Sequence, residues 1–192
     1  AKTAHKKKLA TEAAELLIER VGGSMGLLDQ ELGKLANAVG GKPGISAEDV
    51  EALVGRSKAA DVFRILDAIG EGKPGAALSI LQELFAEGED PMAVMGPLTA
   101  QLRKLATVGR LVVLDKLAMG PAMDAANVPK WDKARLACEK QLKHLGGARL
   151  LKLPDWLVEI NYGLKGGNPL PERVQVERLI VMLARPREDA KR

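Results

Sequence analysis

Along the whole of this 192-residue chain, apolar residues recur at intervals of three and four, and the runs are closed by glycine or proline. Such spacing places the apolar side chains on one face of a helix, whereas a strand needs them at every second position. No segment sustains that alternation or clusters β-branched residues, so the sequence predicts an all-α fold without a sheet. Ala, Leu, Lys and Glu dominate and aromatics amount to 3%, which also favours helix. No repeat of fixed period is visible, which argues against a regular solenoid.

Leu9, Ala13, Leu16 and Leu17 predict a first helix ending at Gly22-Gly23, with Lys2, Lys6, Lys7 and Lys8 as its solvated first turn. The competing reading makes those lysines an arm that contacts phosphates. From Ser24, the residues Met25, Leu28, Leu32, Leu35, Ala36 and Val39 predict a second amphipathic helix, stopped by Gly40-Gly41. Ser46 and Asp49 form a capping box with Asp in place of Glu or Gln, and Ile45 can staple onto Val50, so a short third helix starts there and closes at Gly55.

Val62, Phe63, Ile65, Leu66 and Ile69 mark a fourth helix ended by Gly70. Pro74 suits the first position of the next, whose buried face is Ala77, Ile80, Leu81, Leu84 and Phe85, ended by Gly88. Asp90-Pro91 begins a long helix reaching towards Lys116, with Met95, Leu98, Leu102, Leu105 and Val112 on one face and Pro97 as an expected kink. Residues 118–129 are irregular and read as a loop with one short helix, since Pro121 and Pro129 limit any helix to about two turns. Trp131, Ala134, Cys138 and Leu142 mark one further helix, and Leu150, Leu153, Leu157, Ile160 and Leu164 another, with Pro154 as its kink or start. Glu172, Val176, Leu179, Ile180 and Leu183 define the last helix, ended by Arg185-Pro186, and a charged tail follows.

The inventory of reactive groups is thin. One cysteine, Cys138, allows no intramolecular disulfide, and the two histidines, His5 and His144, lack zinc-ligand spacing. Gly70-Glu71-Gly72-Lys73-Pro74-Gly75 lacks the spacing and the Ser or Thr of a phosphate-cradling loop and reads as a turn. Glu87, Glu89 and Asp90 favour a helix start over acid–base work. Met92, Met95, Met119 and Met123 read as core filler, with an adaptable partner surface as the alternative; Trp131 and Trp156 read as core or rim anchors. No catalytic, cofactor-binding or metal site is predicted, and a chain without a membrane-length apolar run or a signal-peptide core is expected to be soluble and cytoplasmic. The formal charge of +4 permits contact with a polyanion without requiring it. Candidate contacts for DNA or a partner are Lys6, Lys7, Lys8, Arg20, Arg103, Lys104 and Arg110, the alternative being solvated helix faces. The chain opens on Ala1, which suggests processing or excision from a longer protein.

Several runs resemble the delta subunit of bacterial DNA polymerase III. These are Leu17-Ile18-Glu19-Arg20-Val21-Gly22-Gly23 with Leu27-Leu28-Asp29-Gln30-Glu31-Leu32, and Val62-Phe63-Arg64-Ile65-Leu66-Asp67-Ala68-Ile69-Gly70. Glu87-Gly88-Glu89-Asp90-Pro91, Gln101-Leu102-Arg103-Lys104-Leu105, Leu164-Lys165-Gly166-Gly167 and Glu177-Arg178-Leu179-Ile180 follow in order. The resemblance implies a helical lid over residues 1–56, left from an AAA+-like module, and a helical-bundle collar over 57–186, with the tail at 187–192. It further implies a non-catalytic subunit that needs no cofactor and assembles through its collar with gamma or tau and delta prime, so that the sliding clamp can be loaded on DNA. The N-terminal domain that meets the clamp in this family lies outside the chain. Two other readings stand beside it: a free-standing helical adaptor, and a weak single-strand DNA binder.

Overall fold

A computed structural model describes residues 5–21, 25–54, 58–130 and 132–186, without the side chains of Glu19, Lys58 and Ala59. The expectations placed on Lys2, Gly22-Gly23, Ser24, Gly55, Trp131 and the tail lie outside the described residues. Among those described, the fold is all-α apart from one pair of two-residue strands, as expected from the periodicity. The chain divides into two compact units, Ala1–Phe63 and Arg64–Arg192.

In the first unit, α1 (Thr11–Val21) packs on α2 (Met25–Ala38) and α3 (Ala47–Leu53). Ala13, Leu17, Val21, Leu35, Val39, Ile45, Val50 and Val54 form its core, with Leu9, Leu16, Leu28 and Leu32 packed against it. The capping box forms: the Asp49 N–H donates to Ser46 Oγ at 3.3 Å and the Ser46 N–H to Asp49 Oδ2 at 3.0 Å. The Lys42 ammonium donates to the same carboxylate at 2.8 Å and, ahead of the Ser46 bonds, holds its pKa down at about 2.

Two expectations for this unit are corrected. Residues 5–10 are no helical turn: β1 (Lys8–Leu9) pairs in parallel with β2 (Gly44–Ile45), and the Ala10 N–H donates to the Ile45 carbonyl at 3.3 Å. A lysine-rich start gains little as a helix, while the strand lets Leu9 reach the core. Met25, assigned to the apolar stripe, is 78% exposed. It is the first residue of α2, and helical side chains lean towards the N-terminus, beyond the face that packs.

α4 (Lys58–Gly70) runs across the division at Phe63–Arg64, and in the second unit it leads into α5 (Pro74–Ala86) through a turn whose Gly72 has φ +68°. The glycine-rich stretch is this turn, closed by N–H bonds from Glu71, Gly72 and Lys73 to carbonyls of α4. Next come α6 (Pro91–Val113), α7 (Met119–Ala125), α8 (Asp132–Tyr162), a π-helical turn (Gly163–Gly167) and α9 (Glu172–Ala184). The Asp90 carboxylate caps α6, accepting from Met92 N–H at 2.8 Å and Ala93 N–H at 3.2 Å. α6 lies along α8 and also meets α7 and α9, while α5 packs on α9. Leu81, Leu98, Leu102, Met123, Leu145, Leu153, Ile180 and Leu183 are almost wholly buried. Of the four methionines weighed above, Met95 and Met123 fill the core and Met92 is 40% exposed.

α6 continues through Pro97 and ends at Val113, short of Lys116. The separation expected between the Leu142 and Leu150 stripes lies at Gly146, whose φ of 69° and ψ of 162° interrupt α8, while Pro154, expected as a kink or start, is accommodated inside the second segment. Glycine alone enters that backbone region cheaply, so the turn settles there. At the crossing of α6 and α8, a Cβ on Gly109 would stand 2.7 Å from Leu150 Cβ, which makes glycine a condition of the close approach.

Candidate functional site

The basic candidates separate once their partners are seen. The Lys7 ammonium donates to the Gly40 carbonyl and, at 2.6 Å, to the Lys42 carbonyl, tying the strand to the turn after α2. The Arg20 guanidinium donates to the Val54 carbonyl at 2.8 Å and Glu51 carbonyl at 3.4 Å, closing the end of α3, with the Glu51 carboxylate 3.8 Å away. Both hold the first unit together. Lys6, with φ 52°, and Lys8, on β1, are exposed.

On α6, Arg103 is exposed, Lys104 is half-buried and Arg110 pairs with Asp115 at 3.0 Å across the surface. Arg103 and Arg110 are seven residues apart, two turns, so they share an edge of the helix about 10.5 Å apart along its axis. Between that edge and the second segment of α8 runs a groove of about 510 Å³. Its lining includes Leu114, Leu151, Pro154 and Val158 besides the two arginines, and no carboxylate. Leu114 is 57%, Leu151 37% and Val158 70% exposed.

The sequence reading found the arginines but missed the apolar half of this groove. It assigned Leu150, Leu153, Leu157 and Ile160 to the buried stripe, correctly, since all four are buried. The available signal was a second stripe on the same helix, Leu151, Pro154 and Val158, at three and four spacing on another face. A helix apolar on two faces has more to cover than one neighbour can reach.

A larger groove of about 1030 Å³ lies between α5, α8 and α9, lined by residues of both signs, among them Arg149, Arg178, Glu159 and Glu177, and by Trp156. Arg149 is already engaged, donating to the carbonyls of Arg185 at 2.7 Å and Pro186 at 3.2 Å. Mixed charge selects no ligand sign.

For covalent chemistry the groups are badly placed. Cys138 is buried, and desolvation pushes its thiol up to about 11, far from a reactive thiolate. His144 Nε2 faces the Leu183 carbonyl at 3.0 Å. Among the described residues no three His, Cys, Asp or Glu side chains gather as metal ligands, and no helix is long and apolar enough to cross a membrane.

A bundle of this order has close counterparts among known proteins. The family model for the DNA polymerase III delta subunit, C-terminal domain, matches residues 59–183. The chain belongs to this family. DNA polymerase III subunit delta of Bacillus subtilis is 29% identical over 147 residues, which are 70% of this chain and 42% of that protein. The solved DNA clamp loader delta protein of the same organism superposes with a TM-score of 0.75 over 93% of this chain and 51% of its own, at 23% identity, which speaks for the fold. The chain thus spans about half the length of the delta proteins it matches. The delta resemblance carried by short sequence runs is confirmed, and the region matched by the delta C-terminal model covers almost all of the second helical unit.

Proposed function

We propose that the chain is the non-catalytic, assembling part of a clamp-loader delta subunit, working in the cytoplasm during DNA replication. Residues 1–56 serve as the helical lid and 57–186 as the collar, which joins the gamma or tau and delta prime subunits. The sliding clamp is met by an N-terminal domain outside this chain, and DNA is met only within the assembled complex. The observation that carries this reading is the family match over residues 59–183, which extends along the helical bundle.

Of the basic candidates, Arg103, Lys104 and Arg110 serve contact with neighbours, Lys6 and Lys8 remain candidates for DNA, and Lys7 and Arg20 are assigned to structure. The test is to mix the chain with purified gamma or tau and delta prime subunits and weigh the products by size-exclusion chromatography with light scattering. A stable hetero-oligomer is expected. A chain that stays apart from every subunit overturns the reading and leaves an adaptor role on the same fold.

A further inference from the structure

We propose that the groove between α6 and the second segment of α8 seats an acidic amphipathic helix of a neighbouring subunit. This rests on the assembly role above and names the surface and the chemistry of its occupant. Three features select that occupant. The floor is an exposed apolar stripe, Leu151, Pro154 and Val158, continued by Leu114 at the end of α6, and its three and four spacing is the pattern against which one further helix packs. The α6 edge carries Arg103 and Arg110 two turns apart, and no carboxylate lines the groove, so an approaching segment meets positive charge at two points with helical spacing. The Arg110–Asp115 pair is about half exposed on both sides and is exchanged for an incoming carboxylate at little cost.

The occupant therefore presents apolar residues at three and four spacing to the floor and acidic residues about seven apart to the arginines. A nucleic-acid strand fits less well, because phosphates have no use for Leu114, Leu151 and Val158 and the lining offers no aromatic on which a base stacks. Arginine at the edge of an apolar patch is also the composition of interface centres.

The test compares the chain with four variants in assembly with purified gamma or tau and delta prime: Val158→Asp, and Arg103 with Arg110 changed together to Glu, to Lys or to Ala. All of these positions are exposed, so circular dichroism should report native helix content; should the double charge reversal not fold, Val158→Asp carries the test alone. We expect Val158→Asp and the charge reversal each to weaken assembly about tenfold or more, and the lysine pair to retain most of it, because charge is kept and the second hydrogen bond lost. Added salt should weaken the parent more than an Arg103→Ala, Arg110→Ala variant. If the parent assembles and Val158→Asp and the charge reversal assemble equally well, the groove is not the seat, while the assembly role stands. If the charge reversal lowers only affinity for single-stranded DNA, the groove is a nucleic-acid surface and the proposal is overturned. If the parent joins no subunit, it is the assembly role that fails.

Discussion

Gly109 shows how one missing methyl sets a helix crossing. A side chain there meets Leu150 Cβ at 2.7 Å, an atom fixed to the backbone, so α6 and α8 have to separate. Gly109→Val is expected to cost about 1–3 kcal/mol and to lower Tm by several degrees in a thermal melt. Cys138 makes a pH prediction. Its thiol ionises at about 11 in the folded chain against an ordinary value of 9.0, so above pH 9 the unfolded chain loses the proton first and folding stability declines until about pH 11. Denaturant titrations of the parent and Cys138→Ala at pH 8 and pH 10 check this: the parent should lose more between them. Asp49 runs the opposite way, since its carboxylate is held at about 2 by Lys42 and Ser46; its contribution is intact above the ordinary carboxylate value and fades as pH falls towards 2. Residue types such as these were legible, but the atom that each would meet was not.

Among elements, the boundaries written in local chemistry were read correctly. Asp90-Pro91 starts α6, Pro74 starts α5 and Ser46 with Asp49 starts α3, because each cap acts on backbone within four residues. Ser46→Ala should cost about 1 kcal/mol in urea unfolding through the lost cap. The two helices expected either side of residues 143–149 are present, and the interruption between them falls on a glycine that the apolar pattern did not single out. Gly146 breaks α8 and Pro154 does not, since the backbone at the break takes a positive φ, and a proline fixes φ negative. Gly146→Ala is accordingly expected to destabilise by about 1–3 kcal/mol, whereas Pro154→Ala should not; paired melting curves decide between them. The lysine-rich start went wrong for a related reason: the partner of β1 is β2, a stretch distant in sequence that periodicity does not see.

For the molecule as a whole, the chain forms two compact units, each with buried apolar residues of its own. The sequence by itself determined the helical class, most helix starts, the core stripes and, through ordered short runs, the delta family, since all of these follow from local periodicity and capping. Tertiary structure alone decided which basic residues face outward and which close a helix end. Lys7 and Arg20 look like Arg103 in sequence, yet two hold backbone carbonyls and one edges a groove. It also decided that a second apolar face on α8 remains uncovered beside two arginines, because burial depends on which neighbours arrive, and a chain's own pattern does not say how many of its faces they will cover.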